Sequence, residues 1–185
     1  MQKIMFNDKY GLTDAVLEGC KTMTRRPVSE KCLQQAEAYR HEYYADTLDA
    51  LPLEEALLEF SPFKVGEVVA VAQSYEDAGY NPLAASHLSG WANKMFVKAN
   101  LMPHRIRITN VRVEKLQDIS DEDCLKEGII EGDAEPKLYG FKNGKHYDSF
   151  FSPREAFAAL INKVSGEGTW QSNPWVFVYE FELIK

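Results

Sequence analysis

The segment Arg105-Ile-Arg-Ile-Thr-Asn-Val-Arg-Val-Glu-Lys115 alternates apolar and polar residues as a strand does, with Ile106 and Ile108 on one face. Val111 and Val113 continue the alternation out of phase. A change of face within one strand predicts a β-bulge near Asn110, because a single inserted residue turns the rest of the strand over. Downstream the period changes. Ser120 followed by Asp123 has the form of a capping box with Asp in the Glu position, and Cys124 and Leu125 precede Gly128, which predicts a short helix over 120–127. Asn143-Gly144 then separates Leu138-Tyr139-Phe141 from Tyr147-Phe150-Phe151, a two-residue hairpin signal. Pro153 opens a helix whose apolar stripe is Phe157, Leu160, Ile161 and Val164, and Gly166 stops it. The last strand, Trp175 to Ile184, sets Trp175, Phe177, Tyr179, Phe181 and Leu183 against Val176, Val178, Glu180, Glu182 and Ile184 on the other face.

Upstream, Asn7 as N-cap, Leu12 and Val16 four apart and Gly19 as a stop predict an amphipathic helix over 8–18. Thr22 to Arg26 reads as a short strand, since Pro27 disfavours helix in the residue before it. The next strand signal is Lys64 to Gln73, led by Gly66 and dense in valine. Between these strands, residues 29–61 read as an insertion of two helices: Cys32, Ala36, Tyr39 and Tyr43 recur at helical spacing, and Leu53, Leu57 and Leu58 follow Pro52. Residues 74–100, with Gly79, Asn81, Pro82 and Gly90, read as a loop insertion carrying a short helix. Four or five strands, helices in the connections and no βαβ alternation predict an α+β fold, a small mixed β-barrel with peripheral helices. A length of 185 residues makes this one domain over 1–185.

The chain carries 21 Lys and Arg against 28 Asp and Glu, a formal charge of -7. Such a balance excludes a generally basic nucleic-acid coat. The acidity is concentrated, however: residues 27–62 hold Lys31 and Arg40 against Glu30, Glu37, Glu42, Asp46, Asp49, Glu54, Glu55 and Glu59, which is -6. The remainder is close to neutral, and a local cleft for RNA or a nucleoside is compatible with it. Cys20, Cys32 and Cys124 have no metal-ligand or disulfide-framework spacing, so reduced thiols and no metal site are expected. His41, His87, His104 and His146 show no ligand spacing either. No cofactor motif is present. No apolar run approaches a membrane span and Met1 to Phe6 lacks a signal-peptide core, which predicts a cytoplasmic protein without a membrane partner.

The densest polar cluster is Gly19-Cys20-Lys21-Thr22-Met23-Thr24-Arg25-Arg26. It follows a helix exit with an ammonium, two hydroxyls and two guanidiniums, groups that hold an anion or a polar base edge. A partly desolvated lysine can also lose its proton and activate a hydroxyl. The run Gly19-x-Lys21-x-x-Thr24-x-Arg26 resembles the signature of ASCH domains, a group within the PUA-like barrels. Lys64-x-Gly66-Glu67-x-Val69 is similar to that family's second strand. Met102-Pro103 with the following strand, Leu116 to Ser120 and Glu127-Gly128-Ile129 are similar to its third strand and helix in phage- and prophage-borne members. Trp170-x-x-Asn173-Pro174-Trp175-Val176 matches the closing part of those longer members.

The resemblance implies a PUA-like barrel with a cleft that binds RNA or a modified nucleoside. One small bacterial branch of the family is an amidohydrolase that deacetylates N(4)-acetylcytidine with a Lys, a Thr and a Glu, which carry over to Lys21, Thr24 and Glu127. In that role Thr24 is the nucleophile or positions it, Lys21 activates Thr24 or stabilises an oxyanion, and Glu127 handles the proton or orients the amide. Thr22, Arg25 and Arg26 are the companion ligand-binding residues. Geometry raises one objection: in a plain strand residues 21 and 24 face opposite sides, so they meet only if the chain turns between them. The sequence departs from the small amidohydrolase in its length and its two insertions. A third reading is a protein-interaction module working through the acidic insertion. Tyr75, Tyr80 and Trp91 offer rings for base stacking, with packing of the second insertion as their ordinary use.

Overall fold

In a computed structural model describing residues 1–44 and 51–184, eight strands are assigned: β1 (Lys3–Ile4), β2 (Met23–Pro27), β3 (Val68–Val71), β4 (Arg105–Lys115), β5 (Ile130–Glu131), β6 (Tyr139–Asn143), β7 (His146–Phe150) and β8 (Trp175–Ile184). Seven helices accompany them: α1 (Leu12–Leu17), α2 (Glu30–Tyr44), α3 (Leu53–Glu59), α4 (Pro82–Ala85), α5 (Asp121–Lys126), α6 (Pro153–Ser165) and α7 (Thr169–Ser172). The chain is therefore α+β. Asp46 and Asp49 of the acidic insertion lie outside the described residues.

The long β4 strand pairs antiparallel with β8 along its whole length, from Arg105↔Ile184 to Lys115↔Trp175, and the register shifts between Ile108 and Asn110. This is the bulge expected from the change of face. Both strands sit inside a five-stranded sheet of order β1-β3-β4-β8-β2, in which only the β1–β3 pair is parallel. A central position explains why β8 is buried on both faces, Val176 and Val178 as deeply as Phe177 and Tyr179. The expectation of one apolar face against a partly polar one holds only toward its C-terminal end.

The sheet does not close into a barrel. β1 and β2 lie at opposite ends of the strand order with no ladder between them. β1 is two residues long, and β2 ends in Pro27, which has no N–H to give a further strand. The seam is spanned instead by a side chain, with Arg26 Nη2 donating to the Met5 carbonyl at 2.5 Å. The cavity described below borders this seam.

A second, three-stranded antiparallel sheet has the order β5-β6-β7. Its hairpin pairs Asn143 with His146, so the two loop residues are Gly144-Lys145, one later than the Asn-Gly signal suggests. Gly144 has φ +63, the positive value that a type II′ turn requires at its first central position. Within β6, Gly140 faces Ser149, and a Cβ at Gly140 would stand 2.1 Å from the Asp148 carbonyl oxygen. Gly140→Ala is therefore expected to destabilise the protein by about 1–3 kcal/mol, read as a lower urea midpoint at unchanged m-value.

The strand expected over Lys64 to Gln73 shortens to Val68–Val71, and the Asp123 carboxylate turns to Arg25 and Arg112 and makes no return bond to the Ser120 N–H. Ser120 and Ser152 cap α5 and α6 through bonds from Asp123 N and Glu155 N. The 8–18 helix, by contrast, is broken: a 3-10 turn at Asp8–Tyr10, capped by Asn7, ends at Gly11 with φ +67, and α1 starts beyond it. The α7 turn was not signalled by any period. One hydrophobic cluster unites Val16, Ala36, Leu57, Ile108, Phe157, Leu160 and Val178, so the helical insertion packs onto the same core as the sheet. A smaller cluster of Ala70, Ala72, Tyr75, Val97 and Met102 anchors residues 74–100. Tyr75 is buried against Tyr80, with ring centroids 5.2 Å apart, and Trp91 packs beside them, so these rings serve packing. Among the described residues no helix is long and apolar enough to cross a membrane.

Candidate functional site

Gly19 leaves α1 with φ +79, and the N–H groups of Cys20 and Lys21 both donate to the Ala15 carbonyl at 2.8 and 2.9 Å. The chain turns here, and β2 begins only at Met23. Lys21 thus escapes strand alternation and reaches the C-terminal end of α5, where its Nζ donates to Glu127 Oε2 at 2.7 Å and to the Glu127 carbonyl at 2.6 Å. The geometric objection from plain strand alternation is removed by this turn. Lys21, Thr24, Arg26 and Glu127 line one cavity of about 130 Å³, with Phe6, Phe157 and Leu160 among its apolar walls.

Each polar group there has a distinct state. Lys21 and Glu127 are buried and paired. Burial pulls the Lys21 ammonium below the ordinary lysine range, with Glu127 opposing the shift. Two of its three N–H donors go to Glu127, which leaves one for a ligand. Thr24 is 5% exposed, and its hydroxyl has no protein partner among the described residues. No buried side-chain polar atom among the described residues lacks a partner, so the Thr24 hydroxyl opens into the cavity, where it is free to bond a ligand or water. Arg26 stands over the Phe6 ring at 5.7 Å, and burial lowers its pKa, with Glu127 and Tyr179 acting against that. Its one hydrogen bond is to Met5 O, and among the described residues no carboxylate lies within ion-pair distance.

Arg25 is different. Its side chain is fully buried, and all five N–H donors are engaged: Nε and Nη2 with Glu114 at 2.9 and 2.7 Å, Nη2 also with Asp123 at 2.9 Å, and Nη1 with Glu127 and Met23 Sδ, both at 3.2 Å. Burial would lower its pKa, but Glu127, Glu114 and Asp123 outweigh that and raise it. Arg25 also lines the cavity, but its donors are all engaged by protein partners, so it holds Glu127 in place. Arg112 extends the lattice, binding Glu114, Asp123 and Glu180 at 3.0, 2.5 and 2.5 Å. Thr22 contributes its backbone, donating to Lys126 O and accepting from Phe181 N, and does not line the cavity.

In the sequence Arg112 and Glu114 stand only as charged residues alternating with Val111 and Val113, and Asp123 only as a capping-box residue, with no sign that the three join around Arg25. Cys20 is exposed and lines a separate hollow of about 310 Å³. Cys124 is buried, and burial pushes its thiol up to about 12, so it stays protonated. Among the described residues no group of three or more His, Cys, Asp or Glu is placed to hold a metal.

Comparison with protein-family models, with curated proteins and with solved structures finds no match. The site must stand on its own geometry. It combines a buried amine–carboxylate pair, an unpartnered hydroxyl and a cation at the mouth, facing apolar walls. Such a wall-and-donor arrangement suits a flat heterocycle with polar edges.

Proposed function

We propose that the protein binds RNA or a modified nucleoside, placing one base in the seam cavity, and that its fold is a PUA-like barrel left open at that seam. The observation that carries the reading is the Thr24 hydroxyl, open to the cavity and without a protein partner among the described residues, lining the same space as Lys21 with its spare N–H. A volume of about 130 Å³ corresponds to roughly four waters, room for a single ring rather than a whole nucleoside. The ASCH-like run from Gly19 to Arg26 lends the same direction. Isothermal titration with N(4)-acetylcytidine tests it: Thr24→Val is expected to weaken binding about tenfold while leaving the thermal midpoint within a degree or two. Equal affinity of the variant and the parent removes Thr24 from the site.

A second reading is favoured by one observation, the lowered pKa of a lysine that lines the same cavity as a free hydroxyl. In it the protein hydrolyses the amide of an acylated nucleobase such as N(4)-acetylcytidine. The Thr24 hydroxyl, or a water it positions, adds to the acyl carbon. The acyl C–N bond then breaks and N4 leaves as the cytidine amine; where Thr24 itself attacks, a water cleaves the resulting ester to release the carboxylic acid. Lys21 takes the proton of the nucleophile, stabilises the oxyanion as the ammonium and passes the proton to the departing N4, and Glu127, held by Arg25, keeps Lys21 oriented. Release of cytidine from N(4)-acetylcytidine distinguishes turnover from binding alone.

A further inference from the structure

Beyond the ring-sized cavity lies a wider hollow of about 410 Å³ that shares Met5, Phe6, Asn7, Arg26 and Val164 with it. A ligand that fills the inner cavity with its base has its remaining atoms here. Three cations border the hollow, Lys9, Arg26 and Lys94, against one carboxylate, Asp8. Lys94 and Asp8 neutralise each other at 2.6 Å, and the other Lys94 donors go to Thr13 Oγ1 and the Phe6 carbonyl. That lysine ties residues 74–100 to the first turn and has no donor to spare. Lys9 and Arg26 are left without an ion pair among the described residues. Arg26 also faces both spaces, with a single hydrogen bond and its guanidinium over Phe6. Arg26 is half-buried at the junction of the two hollows, with donors open to both and no carboxylate neutralising it among the described residues, so an anion there meets an uncompensated cation that can bond it through two N–H groups.

We infer that the outer hollow is an anion subsite and that the ligand is a nucleoside phosphate, its phosphate on Arg26 and Lys9 while its base occupies the inner cavity. The base placement rests on the binding function proposed above; the phosphate placement rests on the charge balance of the outer hollow and stands separately. The phosphate of a free nucleotide and the backbone phosphate of an RNA present the same chemistry to these two side chains.

The test compares N(4)-acetylcytidine, its 5′-monophosphate, a cytidine tetranucleotide and inorganic phosphate on the full chain. Binding is followed by calorimetry and by the Arg26 Nε signal in the nitrogen-15 spectrum. The monophosphate is expected to bind about ten- to a hundredfold more tightly than the nucleoside, the scale of a charge-assisted contact. Arg26→Gln and Lys9→Ala are each expected to narrow that ratio. A tetranucleotide tighter than the monophosphate assigns the phosphate to RNA, and the reverse assigns it to a free nucleotide. Equal affinities of nucleoside and monophosphate, with an Arg26 signal unmoved by inorganic phosphate, overturn the inference. Movement of that signal without any nucleoside binding keeps the anion subsite and removes the base-binding function instead.

Discussion

Replacing Arg25 by alanine is expected to lower the stability of the protein by about 3–5 kcal/mol, the range for removing one partner of a buried charge cluster. The guanidinium is inaccessible and bridges Glu114, Asp123 and Glu127. Without it Glu127 keeps only Lys21, Glu114 keeps only Arg112, and Asp123 keeps Arg112 and a longer contact to Lys126 at 3.8 Å. Three carboxylates in one partly dry corner then repel one another. Arg25→Lys rescues little, because one ammonium cannot reproduce a fork that contacts three acids at once. Urea unfolding reads the change as a lower midpoint at unchanged m-value. A loss below 1 kcal/mol would mean that water already screens this cluster.

Lys21→Met is expected to weaken N(4)-acetylcytidine binding by tenfold or more and, where turnover is detected, to reduce it by about two to four orders of magnitude. The substitution preserves the buried stem and removes the charge, leaving Glu127 with Arg25 as its remaining cation. It also changes how stability depends on pH. The folded-state pKa of Lys21 lies below the unfolded value of 10.5 because burial disfavours the charged form. Between the two values the unfolded chain binds more protons, so the Lys21 contribution to stability grows as pH rises toward 10.5. Thermal midpoints of the parent and Lys21→Met between pH 7 and 10.5 should therefore diverge in slope, the parent gaining relative to the variant. Parallel profiles would place the Lys21 pKa at its ordinary value.

What could be read from the sequence was what depends on near neighbours. The change of face between Ile108 and Val111 announced the bulge, Ser120 and Pro153 stand where their helices start, and Gly19 allowed the turn that frees Lys21 from strand alternation. Closure of the sheet was not legible, because it depends on which edges meet. β1 and β2 are separated by α1 in the chain and left unpaired in space, and local periodicity carries no term for that. Gly11 resembles any glycine in a helical stretch until the left-handed cap that it forms is seen.

The same distinction holds at the site. Lys21, Thr24, Arg26 and Glu127 meet as the Gly19 to Arg26 run and the residue after α5 suggested. The opposite fates of Arg25 and Arg26 were hidden, since adjacent arginines on a strand point to opposite faces. Both border the cavity, but the Arg25 guanidinium turns to the carboxylates of β4 and α5 while that of Arg26 meets only the Met5 carbonyl at the seam. Only long-range register decides which arginine is consumed by the protein and which remains for a ligand.

The most direct test of the account is a crystal structure of the protein soaked with N(4)-acetylcytidine. The expected result is density for the base in the seam cavity, with polar atoms within hydrogen-bond distance of Thr24 Oγ1 and Lys21 Nζ. A cavity that stays free of the base at millimolar nucleoside, or a base bound elsewhere on the chain, would contradict it.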